Sequence, residues 1–148
     1  MDETKNKQSE EILAEIYRNC QLALESIADV LPAVDDDGLR AEIVAEHEEY
    51  ERISAEAARL AKDKGVEVKE PNPFKKAMMW GSIKMSTLTD NSRAHIAEMM
   101  INGTVMGITS LRTSQTELFE GADETVVALL EELIELEETF EKRLKEFL

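Results

Sequence analysis

Residues 124–148 read ETVVALLEELIELEETFEKRLKEFL. Val126, Leu130, Leu133, Leu144 and Leu148 fall on one stripe when this run is wound as a helix, because residues three and four apart share a face. Glu137 lies near the middle of that stripe rather than at its edge. A second run behaves the same way: Leu39, Ile43, Tyr50, Ile53, Ala57 and Leu60 form an apolar stripe, and Glu46 lies inside it. A buried carboxylate is costly unless it is paired, hydrogen-bonded or bound to a metal. Two such acids on two helices point to a helical bundle with carboxyl groups in its interior.

Working outward from these runs, the rest of the chain is also helical in pattern, with almost no strand signal. Ser9 is a cap for a first helix that follows a flexible terminus at residues 1–8, with Glu10 and Glu11 at its positive end. Ile12, Ile16, Cys20, Ala23, Leu24, Ile27 and Leu31 give it a buried face, and Pro32 ends it. Asp35, Asp36 and Asp37 supply a turn and a cap, and a second helix runs to about Lys64, with Gly65 as its stop. Residues 65–91 form a connector broken by Pro71 and Pro73, with a short helical pattern in FKKAMMWGSIKMSTL. That pattern either stops at Thr89–Ser92 or runs on, making residues 74–119 one bent helix. A third helix extends from Ser92 to about Phe119, Gly121 ends it, and Asp123 caps the fourth.

The expected architecture is all-α: a single domain, residues 1–148, with four long helices in two antiparallel hairpins joined by the long connector. Apolar residues cover most of the third helix, through Ile96, Met99, Met100, Gly103, Met106, Gly107 and Leu111, so it is expected to be the most buried element. Gly103 and Gly107, four apart, allow another helix to approach closely, in the bundle or at a dimer interface.

Composition narrows the function. The 148 residues carry 32 Asp and Glu against 17 Lys and Arg, a formal charge of −15. Such a field repels phosphate backbones and anionic membrane surfaces, so neither nucleic acid nor membrane is an expected partner. Cys20 is the only cysteine, set among Ile16, Leu24 and Ile27, and reads as a small core residue. The first residues, MDETKNKQSEE, contain no apolar signal segment, and a cytoplasmic setting is the default expectation. No nucleophile–base pair and no phosphate-binding loop can be read, since the six glycines are dispersed.

The candidate chemistry therefore lies in the acids. Glu49 and Tyr50 come within a turn of Glu46, with His47 on the flank; Glu141 is one turn beyond Glu137; His95, Glu98 and Asn102 share a side of the third helix. If carboxylates from three helices converge, the oxygen-rich cluster suits iron or manganese. The plainer alternative is structural: Glu46 and Glu137 hydrogen-bond each other, or bond to Tyr50, Asn102 or Thr104. The methionines, which could suggest a soft copper site, read better as gap-filling core residues.

The whole chain, as two helical hairpins joined by a crossover, resembles the ferritin-like superfamily with its rubrerythrin-type members. The stretch SRAHIAEMMINGTVMGI (92–108) is similar to one found in small clostridial-type ferritin-like proteins. The resemblance implies a Glu on each of two helices and a Glu-x-x-His on each of the other two. Here Glu46 is followed by Glu49 where the His would stand, Glu138 is followed by Glu141, and His95 precedes Glu98 instead of following it. The first helix offers no inward Glu, as Glu25 points away. What the resemblance implies is iron or manganese held by Glu46, Glu49, Glu98 and Glu137, with His95 and His47 as further candidates. The missing histidines argue against a standard di-iron oxidase and leave enzymatic activity open. The alternative is a metal-free structural or interaction module on a degenerate ferritin-like scaffold, and a homodimer is expected.

Overall fold

The fold is given by a computed structural model that describes residues 2–66, 90–118 and 121–148, with side chains described from Lys7 onward and not at Leu118. Among the described residues there are four α-helices and no strand: α1 (Asp2–Val30), α2 (Asp37–Asp63), α3 (Arg93–Leu118) and α4 (Glu124–Lys145), with a 3-10 turn at Leu31–Ala33 after α1. The all-helical expectation holds. None of these helices is long and apolar enough to cross a membrane. The short helix expected in the connector, with Phe74, Met78, Trp80, Met85 and Leu88, lies outside the described residues.

The helix ends follow local chemistry. Pro32 sits in the 3-10 turn that closes α1. The Asp36 side chain accepts the Leu39 N–H at 2.8 Å, satisfying one of the free donors that every helix start exposes. Gly65, at φ +72°, takes the left-handed conformation that ends α2 and that a residue with a Cβ rarely adopts. Residues 90–92 are not helical; the Ser92 hydroxyl oxygen accepts the His95 N–H at 3.3 Å. Residues 74–119 therefore do not form one unbroken helix. Asp123 accepts the Thr125 N–H at 2.9 Å and caps α4, whose last turn carries Lys142, Arg143 and Lys145 against the negative end of the helix dipole.

Ser9 departs from expectation. It lies inside α1 and is fully buried, and its hydroxyl oxygen accepts the Asp123 N–H at 2.8 Å. The helix begins earlier because Glu3, Lys5, Lys7 and Gln8 are good helix formers and acids suit a helix start. It thereby takes in the residues read as a flexible terminus.

The helices pack as α1 with α2 and α3 with α4, with further contacts from α1 to α3 and α4 and from α2 to α4. The interior is aliphatic, built from residues such as Ile16, Ile43, Ile53, Leu111, Leu130 and Leu133, all fully buried. Each such side chain contributes roughly 1.5–3 kcal/mol on leaving water. The rings of Tyr50 and Phe140 meet at a centroid distance of 5.5 Å, tilted by 57°.

The expectation for the third helix is corrected. α3 buries Ile96, Ala97, Thr104, Leu111 and Ser114 but leaves Val105 40% and Met106 68% exposed. A helix that is apolar all round needs neighbours all round; α3 packs on α1 and α4, which cover one side.

Candidate functional site

Glu46 and Glu137 are buried at 1% and 2% exposure, as their place in the stripes predicts. α2 and α4 carry them, and both helices are oriented by the aliphatic residues on either side of each acid. Tyr50, one turn after Glu46, donates its hydroxyl to Glu137 Oε2 at 2.9 Å. The Asn19 side chain on α1 also hydrogen-bonds Glu137. Glu46 shares a hydrogen bond with the carboxyl of Glu42, one turn earlier on α2. Carboxylates only accept, so a bond between two of them requires one to carry the proton.

Burial sets the protonation. Loss of water pushes the Glu46 carboxyl up to about 9, with the charge and hydrogen bond of Glu42 adding to it and Arg143 pulling it down. Burial likewise pushes Glu137 up to about 8, although the hydrogen bonds from Tyr50 and Asn19 favour its charged form. Burial, then the nearby Glu137, also raises the Cys20 thiol, which makes that sulfur a poor nucleophile. At neutral pH the interior thus holds two neutral acids. Arg143 stands 4.0 Å from Glu42 at the edge of the group, so charge is kept at the periphery.

Gly107 makes room for this arrangement. A Cβ on it would sit 2.8 Å from Glu137 Oε2 and 3.0 Å from Asn19 Nδ2. Gly103, its apparent partner in the sequence, would meet nothing within 4 Å. The spacing of the two glycines thus concerns a carboxyl group at one position and open space at the other.

The other candidates do not join the buried pair. Glu49 is partly exposed and binds Arg52 at 2.7 Å. Glu98 is exposed on α3. His47 is 2.9 Å from Glu51, and His95 is 3.9 Å from Asp90, each on its own helix or its approach. Glu138 is exposed and bound to Arg112 at 2.8 Å, while Glu141 pairs with Lys145. Among the described residues no three His, Cys, Asp or Glu gather as a metal-holding group. Sequence reasoning missed the role of Asn19, Glu42 and Arg143. All three flank a stripe, and only tertiary packing brings them to the acids.

Removing the Tyr50 hydroxyl tests the geometry. Tyr50→Phe is expected to cost about 1–2 kcal/mol, the range for a hydrogen bond to a buried group that loses its partner. It should also raise the Glu137 carboxyl further, since that bond favours the charged form. Denaturant unfolding and carboxyl titration by NMR would measure the two effects.

Comparison with protein-family models, with curated proteins and with solved structures gave no match.

Proposed function

We propose that this chain is a metal-free interaction module on a ferritin-like scaffold, in which two antiparallel helix pairs are held in register by protonated interior acids. The observation that carries the reading is the set of partners around those acids: a tyrosine hydroxyl and an asparagine on Glu137, and a second carboxyl on Glu46. The donors on Glu137 favour its charged form but burial outweighs them, and the second carboxyl beside Glu46 adds to the effect of burial, so both acids stay protonated without a metal. A di-metal centre of the family pattern does not fit, because Glu49, Glu98 and Glu138 face outward and no imidazole reaches the pair. A buried polar group with specific partners on other helices favours one helix arrangement over slipped ones, and that is the role assigned to the acids. A cytoplasmic setting accords with this role.

A second reading has one observation in its favour. Glu46 Oε2 and Glu137 Oε1 are buried and lack a hydrogen-bond partner among the described residues. A single iron or manganese ion could be held by these two oxygens. Protonation removes the charge that would otherwise call for a metal, and the raised pKa values favour that solution.

Metal analysis of protein purified from iron- and manganese-supplemented growth separates the two. The expected result is a metal content far below one ion per chain and an unchanged melting temperature on adding ferrous iron or manganese. Near-stoichiometric metal that disappears in Glu46→Ala or Glu137→Ala would overturn the metal-free reading.

A further inference from the structure

Among the described helices, α1 alone has no open side. From Leu13 to Val30 only Ala28 is exposed, whereas α4, for example, presents Glu131, Glu135, Glu138 and Lys142 as an exposed stripe. Ala14, Arg18, Leu22, Glu25 and Asp29 follow one another on α1 at steps of three and four, opposite the buried Ile16, Cys20 and Ile27. A helix packed into a bundle ordinarily turns such a stripe to solvent, yet this one is half-buried throughout. We infer that the segment at residues 71–89 lies along this outward side of α1.

The ends of the intervening chain set its course. α2 finishes where α4 begins, with Lys64 Nζ 3.2 Å from the capping Asp123. α3 starts where α2 begins and α4 ends: the Arg93 guanidinium is 3.8 Å from Asp36 and donates to the Phe147 carbonyl at 3.2 Å. Residues 67–89 therefore join opposite ends of the bundle. They travel the length of α2, which has 27 residues and spans about 40 Å at 1.5 Å per residue. The main neighbours of both α2 and α3 are α1 and α4, so the path from one to the other passes over α1 or over α4. α4 keeps its exposed stripe and α1 does not.

Charge and polarity agree with that path. PNPFKKAMMWGSIKMSTLT (71–89) carries Lys75, Lys76 and Lys84 and no acid, in a chain of formal charge −15. The outward side of α1 carries Glu25 and Asp29, while Arg18 is bound to Glu15. Phe74, Met78, Trp80, Met85 and Leu88 supply apolar surface suited to Leu22 and the stem of Arg18. Basic apolar runs elsewhere serve anionic membranes or acidic partners. Here the acids of α1 meet that need within the chain.

The inference is independent of metal content. Carbodiimide cross-linking of the full chain, read by mass spectrometry, tests it. Lys75, Lys76 or Lys84 should be joined to Glu25 or Asp29, within single chains when isotope-labelled and unlabelled protein are mixed. Cross-links to Glu131, Glu135 or Glu138 instead would place the segment over α4 and overturn the inference. Links that join a labelled to an unlabelled chain would do the same, by making a second copy the occupant. Trp80, the only tryptophan, gives a second readout. Its emission should lie well to the blue of the unfolded protein and should not change on dilution. Leu22→Glu should shift it to the red with the helical circular dichroism spectrum retained, and so should Glu25→Lys combined with Asp29→Lys. Val44→Glu, at an exposed position on α2, should leave it unchanged. Native emission like that of the unfolded chain, or folded α1 variants with wild-type emission, would also overturn the inference.

Discussion

Thermal unfolding across a pH series is expected to show greatest stability at about pH 5 and a steep decline towards alkaline pH. Glu46 and Glu137 keep their protons in the folded state up to about 9 and about 8, whereas in the unfolded chain they lose them near 4.5. Between those limits the folded protein binds more protons than the unfolded one, so stability falls as pH rises. The contribution is fully present below the unfolded value, declines through neutrality, and is gone once both folded groups have ionised. Each group contributes a slope on the order of 1 kcal/mol per pH unit, and the two act in the same direction until Glu137 releases its proton. Repulsion among the surface acids works in the same direction, but salt screens it, while the buried pair is screened much less. Glu46→Gln combined with Glu137→Gln, measured in high salt, should flatten most of the decline between pH 5 and 8. A double variant with the wild-type slope would show that the acids ionise freely in the folded protein.

The sequence reveals the parts of this fold that depend on a single helix. Both acids lie inside clear apolar stripes, and the stripes face the core, so Glu46 and Glu137 are buried as their positions foretell. Pro32, Gly65 and Asp123 mark helix boundaries because their backbone or capping chemistry acts locally. The parts that depend on a neighbour are less legible. His95, Glu98 and Asn102 share a side of α3, but a helix with apolar residues around most of its circumference does not declare which side faces inward. The structure turns Glu98 and Asn102 outward. Asn19 becomes a partner for Glu137 only when α1 and α4 pack together. Ser9 looks like a cap in sequence, yet it serves the start of α4, far along the chain.

The two glycines of α3 are expected to respond differently to substitution, although in sequence they look alike. Gly103 faces open space, so Gly103→Ala should raise stability by roughly 0.5–1 kcal/mol through helix propensity alone. At Gly107 a new Cβ would lie 2.8 Å from Glu137 Oε2, and the carboxyl would have to move. Its end is flexible, but moving it breaks the Tyr50 hydrogen bond in a place with no water to replace it. Gly107→Val is therefore expected to cost roughly 2–4 kcal/mol, the sum of overpacking and a lost buried bond. For Gly107→Ala the gain in propensity offsets much of a smaller displacement, and the net change should lie within about 1 kcal/mol of zero. The clash has a specific partner, which a double-mutant cycle isolates. Gly107→Val combined with Glu137→Ala should cost less than the two single changes added together, by about 1 kcal/mol or more, because the crowding atoms are gone. Denaturant midpoints for these variants supply the cycle. Additive costs, or a Gly107→Val protein as stable as Gly103→Ala, would mean that the carboxyl of Glu137 does not rest against the α3 backbone.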